Sequence, residues 1–280
     1  MALTCALGAS LGTGAAAFGA ADDDGVARPP GGPWLVTNVV DGDTLEVARG
    51  DVVLDVRLIG INAPEFGECW ALEATLALVA LVGDRPVWLT SDVSDVDQYG
   101  RALRFVADVD GNDVGATLVD DGHAIARRYP PDTLRDDEYA LRQEAARLTG
   151  RGLWSPTACG TDAVLPIVAT TTAVTIDIRP NAGGDDNVNL NDEWVRFTNG
   201  AAMPLDLAGW TVRDESSSHR YRFADLILAP RAAVTLFTGC GADTLTERHW
   251  CNESSAIWNN SGDTVFLLDP AGNIAASRTY

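Results

Sequence analysis

Apolar and polar positions change period several times along the chain, and the changes outline its elements. From Trp34 to Val36 and from Thr44 to Val47, β-rich residues flank Asp41-Gly42, the pattern of a hairpin with a tight turn. Apolar and polar residues alternate from Val52 to Ile61, which predicts a third strand. Residues 69–82 (CWALEATLALVALV) have helical length and apolar faces, so a helix is expected there. Further strands are predicted at Pro86–Ser91 and Ala102–Asp108. Helices are predicted at Asp113–Asp121 and Thr133–Arg147, the latter with its charges on one face. The set describes a hairpin-rich barrel with helices around it.

Beyond residue 156 the pattern changes. Residues 157–172 (TACGTDAVLPIVATTT) read as a linker. Short strands then follow at Val174–Ile178, Glu193–Thr198, Gly209–Arg213, Tyr221–Phe223, Ala233–Phe237 and Thr264–Leu268. Turn residues separate them and no strong helix intervenes, so a β-sandwich is expected. The 280 residues therefore divide into a leader (1–21), a Pro/Gly-rich spacer (22–32), a first domain (33–156), the linker and a second domain (173–280).

Charge narrows the function. Forty acids face 20 bases, giving a net charge of −20, and all the bases are Arg. A generally basic, nucleic-acid-coating protein is excluded, because nonspecific affinity comes from cations that neutralise phosphates. A small Arg-lined site remains compatible with the composition. A Lys-free, Asp-rich surface fits high salt, where the Debye length falls to ~3 Å at 1 M. GC-rich coding would shift Lys to Arg in the same way.

No internal stretch holds 18 consecutive apolar residues, so no transmembrane helix is expected in the body of the chain. Residues 2–21 are uncharged and rich in Ala, Gly and Leu, and Asp22-Asp23-Asp24 follows. This run reads as a secretory signal segment and predicts an extracellular or cell-surface protein. Cysteine usage agrees with export. Setting Cys5 aside, Cys69, Cys159, Cys240 and Cys251 remain, and four cysteines allow three pairings. Their split across the linker favours Cys69–Cys159 and Cys240–Cys251. The first pair would close a loop worth up to ~4–5 kcal/mol in the chain-entropy model. Zinc is the rival reading, but neither CxxC nor HxxxH spacing occurs.

The chemistry lies in VVDGDTLEV (39–47), RLIGINAPE (57–65) and DQYGR (97–101), with Gly152-Leu153-Trp154 closing the domain. Phosphodiester cleavage needs charge neutralisation on the phosphoryl oxygens, an activated water and a fixed geometry. Arg57 and Arg101 are of the type that grips phosphate through bidentate forks, and Asp43 offers a hard oxygen suited to Ca²⁺. Singly, Asp43 could be a turn carboxylate, Arg57 a salt-bridged strand residue and Glu65 a helix-start charge. Jointly and in this order, the motifs resemble the staphylococcal-nuclease family of Ca²⁺-dependent phosphodiesterases.

The resemblance implies an OB-type five-stranded barrel with about three helices. It places Arg57 and Arg101 at the phosphate, Glu65 at the attacking water, and Asp43, Asn62 and the Ala63 carbonyl at the metal. One departure matters: the family's best-known members carry Asp where this chain has Asn62, and losing a ligand charge should weaken Ca²⁺ binding. Thr is likewise replaced by Ala63, which keeps the backbone carbonyl. Tyr99 and Tyr129 could flank a nucleotide by stacking, or pack on the barrel. Arg104, Arg127, Arg128 and Arg135 are candidates for a positive rim.

NDEWVRFTN (191–199), PLDLAGWTVRD (204–214), Tyr221-Arg222-Phe223 and WNNSGDTVFLLDPAGN (258–273) resemble the lamin-tail domain, an immunoglobulin-like β-sandwich. Trp194, Trp210 and Trp258 read as core. Asn259, Asn260, Gly262 and Asp263 read as turn formers, and Gly183-Gly184-Asp185-Asp186 as a solvated loop. This domain shows no acid, base and nucleophile set, so it is expected to bind or tether, with a cell-surface or envelope ligand. The whole is expected to be an exported, monomeric, Ca²⁺-dependent nuclease acting on DNA or RNA, single strands above all, and leaving 3′-phosphate ends. A surface protein that binds nucleic acid or another polyanion through a dead site is the alternative, motivated by Asn62 and the acidic charge. For an enzyme, deleting residues 173–280 is expected to spare most of the turnover in solution.

Overall fold

The computed structural model describes residues 31–160 and 174–280, apart from 182, 217 and 254. The expected signal segment, nearly all of the spacer and most of the linker lie outside the described residues. In the first domain five strands close a barrel in the order β1-β2-β3-β6-β5. They are β1 (Trp34–Val39), β2 (Thr44–Arg49), β3 (Val52–Leu58), β5 (Pro86–Thr90) and β6 (Ala102–Ala107). Neighbours run antiparallel except β3 and β6, which are parallel. Leu45, Val47, Val56 and Val87 point inward and are fully buried. The helices α1 (Ala71–Val82), α2 (Val114–Asp120) and α3 (Asp136–Thr149) cover the barrel. Ala74, Leu78 and Val82 of α1 and Leu118 and Val119 of α2 complete the same core.

The alternating run from Val52 does not stay a single strand to Ile61. Gly60 has φ 79°, and the chain turns there into a two-residue strand, β4 (Ile61–Asn62). A Cβ on Gly60 would lie 2.9 Å from the Tyr139 ring, so α3 packs directly on this turn. β4 pairs with β7 (Ile125–Ala126), which is too short to leave a periodic signal. The first helix begins at Ala71 because Trp70 takes a left-handed φ of 71°. At α2 the Asp113 carboxylate accepts the Ala116 amide, an ordinary N-cap.

The second domain is a sandwich of two four-stranded sheets. The first sheet joins β8 (Val174–Arg179), β9 (Trp194–Asn199), β14 (Ala233–Phe237) and β15 (Glu247–His249). The second joins β11 (Thr211–Arg213), β12 (Arg220–Arg222), β16 (Thr264–Leu268) and β17 (Ile274–Thr279). A separate pair, β10 (Leu205–Asp206) and β13 (Ile227–Leu228), closes one side. Strands β10, β13, β15 and β17 escape the sequence reading because they are very short or carry few apolar residues. Trp210 and Trp258 are buried in the core with Phe197 and Val212. Trp194 corrects its expectation: it is half-buried on the opposite face of β9, with the Arg196 guanidinium 5.2 Å from its ring.

The four cysteines among the described residues are bonded as Cys69–Cys159 and Cys240–Cys251. The two domains are docked on each other. Ile125, Ala146, Leu153 and Trp154 of the first form one buried cluster with Phe266 and Leu268 of the second. Cys159 donates its amide to Asn273 Oδ1 at 2.8 Å, which ties the disulfide to the second domain. Among the described residues no helix is long and apolar enough to cross a membrane.

Candidate active site

The site is built where β2 and β3 leave the barrel. Register places Thr44 opposite Arg57, so Asp43 reaches the mouth beside the Arg57 guanidinium. Asp41 Oδ1 accepts the Asp43 amide at 3.0 Å, which folds the turn back on itself. Gly42 has to be small, because a Cβ there would lie 2.6 Å from Ala63 Cβ and 2.7 Å from Ala74 Cβ. The turn is thereby wedged between the Ala63 segment and α1. Asp43 Oδ2 accepts the Ala63 amide at 2.7 Å, and Oδ1 accepts the Thr44 hydroxyl at 3.1 Å.

Arg57 is buried and tightly engaged. Its Nη1 donates to the carbonyls of Leu58 at 2.7 Å and Ile61 at 3.1 Å. Its Nη2 lies 2.9 Å from Asp43 Oδ2 and 3.0 Å from Asn62 Oδ1. Burial pushes the Asp43 carboxyl up to about 6, against the opposing pull of Arg57. Burial also lowers the Arg57 guanidinium from its ordinary value, and the Asp43 charge resists that shift. The two oxygens therefore converge on one cationic nitrogen. Asp43 and the Asn62 amide oxygen are hard oxygen donors at that point, with the Ala63 amide hydrogen-bonded to Asp43 Oδ2, and oxygen donors of this kind suit Ca²⁺.

Arg101 stands across the opening. Asp97 Oδ2 accepts its Nε at 2.8 Å, and its Nη1 lies 3.4 Å from Thr44 Oγ1. Although burial opposes it, hydrogen bonds from the Arg101 side chain and amide hold the Asp97 carboxyl below its ordinary value. Glu65 is exposed at the same mouth, with its amide donating to Glu68 Oε2 at 3.1 Å. These residues line an open cleft of about 510 Å³ with Asp41, Gln98, Tyr99 and Arg127. A second hollow of about 240 Å³ shares Arg57, Tyr99, Arg101 and Arg127 and reaches Tyr129. Tyr99 and Tyr129 are 76% and 56% exposed, so neither is a packing residue of the barrel. Their rings sit 5.5 Å from the Arg101 and 5.1 Å from the Arg127 guanidinium.

The structure thus brings Asp43, Arg57, Asn62, Glu65 and Arg101 to one cleft, with Ala63 beside it and both tyrosines at its edge. It does not bring Arg104 or Arg128 there. Arg104 is held by Asp95, with 2.6 Å between Nη2 and Oδ1, and by the Asp95 and Leu103 carbonyls. Arg128 is bound by Asp136, Asp137 and the Ser261 carbonyl at the junction with the second domain. Arg135 is tied to Asp113. None of these three arginines lines the cleft. Arg127 is the rim arginine that does face the cleft. Its amide donates to the Gly60 carbonyl at 2.8 Å, and Gln143 of α3 holds the adjoining Ala126 amide at 2.8 Å. Asp41, Gln98, Ser216 and Ser218 also line the cleft, and the sequence motifs do not single them out for that role.

Comparison with known proteins follows the same division of the chain. Residues 55–156 match the staphylococcal nuclease homologue model, and residues 168–280 match the lamin tail domain model. The first range begins after Asp43. An "Uncharacterized endonuclease" of Escherichia coli O157:H7 is 34% identical over 121 residues, 43% of this chain and 75% of that protein. A "Micrococcal nuclease" of Shigella flexneri is 32% identical over 128 residues, 43% of this chain and 72% of that protein. An "SPbeta prophage-derived endonuclease YokF" of Bacillus subtilis is 33% identical over 135 residues, 44% of each chain. With its barrel, its cleft and its sandwich in this order, the chain belongs to the staphylococcal nuclease family and carries a lamin tail domain after its nuclease-like domain.

Proposed function

We propose that the chain is an exported, Ca²⁺-dependent nuclease that hydrolyses phosphodiester bonds of DNA or RNA. One observation carries the reading: Arg57, Arg101, Arg127 and an exposed Glu65 surround a single open cleft, beside two oxygens already aimed at positive charge. Asp43, Asn62 and the Ala63 carbonyl would hold Ca²⁺, which supplies positive charge for a phosphoryl oxygen when bound.

The side chains account for the rest of the chemistry. Glu65 takes a proton from a water that attacks phosphorus, a P–O bond forms, and the P–O5′ bond opposite it breaks. The 5′ oxygen leaves and takes a proton from solvent, so the product keeps a 3′-phosphate. Charge gathering on the phosphoryl oxygens is met by Arg57 and Arg101, whose positions are fixed beforehand by Asp43, Asn62 and Asp97. Tyr99 and Tyr129 offer faces on which adjoining bases stack, which favours single strands. Two disulfides are consistent with an oxidising, extracellular setting.

The test is Ca²⁺-dependent cleavage of a labelled single-stranded oligonucleotide by the full chain, with product ends mapped. Cleavage leaving 3′-phosphates supports the reading. Binding without cleavage at any Ca²⁺ concentration would return the chain to the polyanion-binding alternative, with Asn62 the first residue to revert to Asp.

A further inference from the structure

The cleft described above is not made by the first domain alone. Ser216 and Ser218, from the loop joining β11 and β12 of the second domain, line the same cleft as Asp43, Arg57, Glu65 and Arg101. The loop is fastened to the first domain on both sides of these serines. Before them, Glu215 Oε2 accepts the Arg128 amide at 3.2 Å, next to Arg127 of the cleft. After them, Arg220 pairs with Glu68, three residues beyond Glu65.

The loop is also braced internally. Asp214 is buried, and its Oδ1 accepts both the amide of Ser216 at 2.9 Å and its hydroxyl at 2.7 Å. Asp214 Oδ2 lies 2.7 Å from His219 Nδ1, and the Ser216 and Ser218 hydroxyls are 3.1 Å apart. Its two acids are thus turned inward and partnered, while the part facing the cleft presents neutral hydroxyls, with Ser218 exposed. A wall that had to repel a polyanion would carry its carboxylates outward; this one withdraws them.

We propose that this loop is a substrate-binding wall of the nuclease cleft, and that the exposed Ser218 hydroxyl, positioned beside Ser216, whose own proton is given to Asp214, donates to the backbone phosphate next to the scissile one on a single-stranded nucleic acid. The inference rests on the nuclease reading for its substrate. It gives the second domain a part in specificity, beyond any tethering role.

The test uses the full chain, unaltered and with two double replacements, Ser216→Ala with Ser218→Ala and Ser216→Asp with Ser218→Asp. Two substrates are compared: a labelled single strand, and a p-nitrophenyl ester of thymidine phosphate, which offers only the scissile group. Hydrogen bonds to charged groups are worth ~1.5–3 kcal/mol, so the alanine pair should lower the ratio of kcat/KM for the strand to that for the ester about tenfold or more. The aspartate pair should lower it further. In parallel, anisotropy with a phosphorothioate strand under chelation should show weaker binding in the same order. A strand-to-ester ratio and a strand affinity unchanged in both variants would overturn the wall, and so would a wild-type chain that does not bind the strand. A wild type that binds the strand and cleaves nothing overturns hydrolysis only, and the binding arm still decides the wall.

Discussion

At the residue scale, the site rests on how few charges it leaves uncommitted. Arg57 is held in place by Asp43, Asn62 and two carbonyls, and Arg101 by Asp97, whereas Glu65 is open to solvent. Glu65→Gln should therefore lower kcat by ~10²–10⁴, the span of general-base contributions, with no change in the melting curve. Asn62 Oδ1 already accepts from Arg57, so Asn62→Asp keeps that contact and adds a ligand charge. Titration of activity with Ca²⁺ should then show half-saturation at a lower concentration than in the unaltered chain; an unmoved midpoint would remove Asn62 from the metal site. The resemblance of VVDGDTLEV, RLIGINAPE and DQYGR to the staphylococcal-nuclease family made Asp43, Arg57, Asn62, Glu65 and Arg101 legible in the sequence. The partners of the other arginines were not legible. Nothing near Arg104 or Arg128 in the chain says that Asp95 or Asp136 will claim it, because those pairs form only when the fold closes.

At the element scale, close approach of backbone does the positioning. Gly42 is fixed between Ala63 and Ala74, while Gly50, at φ 59°, has no atom within 4 Å of where its Cβ would stand. Gly42→Ala should displace the Asp43 turn and lower kcat/KM about tenfold or more, since sub-ångström misplacement of catalytic groups is costly. Gly50→Ala should leave activity alone and cost only the ~1–2 kcal/mol of a left-handed residue, read from denaturant unfolding. Strands with clear alternation and flanking turns were legible. The pairs β4–β7 and β10–β13 were not, since two-residue strands carry no period. Trp194 shows the reverse case. It shares a face of β9 with the exposed Arg196, and that alternation in Trp194-Val195-Arg196-Phe197 already argued against core.

At the scale of the whole molecule, the second domain is packed on the first through Trp154, Leu153 and Phe266 and through Glu215, and this makes docking sensitive to pH. Asp263 is pushed well above the ordinary carboxylate range by burial and by the nearby Glu215 and Asp214 charges. Burial raises Glu215 as well, against the Thr264 hydroxyl, the Arg128 amide and the Arg127 charge. In the folded state these acids hold protons that the unfolded chain has released. Their contribution is full below the unfolded pKa and is lost as pH rises through the folded one. The melting temperature should therefore fall from mildly acidic to mildly alkaline pH, and Asp263→Asn should flatten that fall; an equal slope in both proteins would contradict it. The Trp154 cluster also bears on truncation. Removing residues 173–280 would uncover Leu153 and Trp154 and take Ser216 and Ser218 out of the cleft, so the turnover of the truncated chain in solution, expected to survive if the first domain suffices, measures what the second domain contributes.

In the proposed function, the cleft of Arg57, Glu65 and Arg101 hydrolyses phosphodiesters with Ca²⁺. The most direct measurement follows cleavage of a labelled single-stranded DNA oligonucleotide by the full chain, from chelated to millimolar Ca²⁺ and at low and molar NaCl, beside Glu65→Gln. Cleavage should rise with Ca²⁺, leave 3′-phosphate ends and be lost in Glu65→Gln. Cleavage that persists under chelation, or equally in Glu65→Gln, would contradict it, as would a strand bound and left intact under every condition.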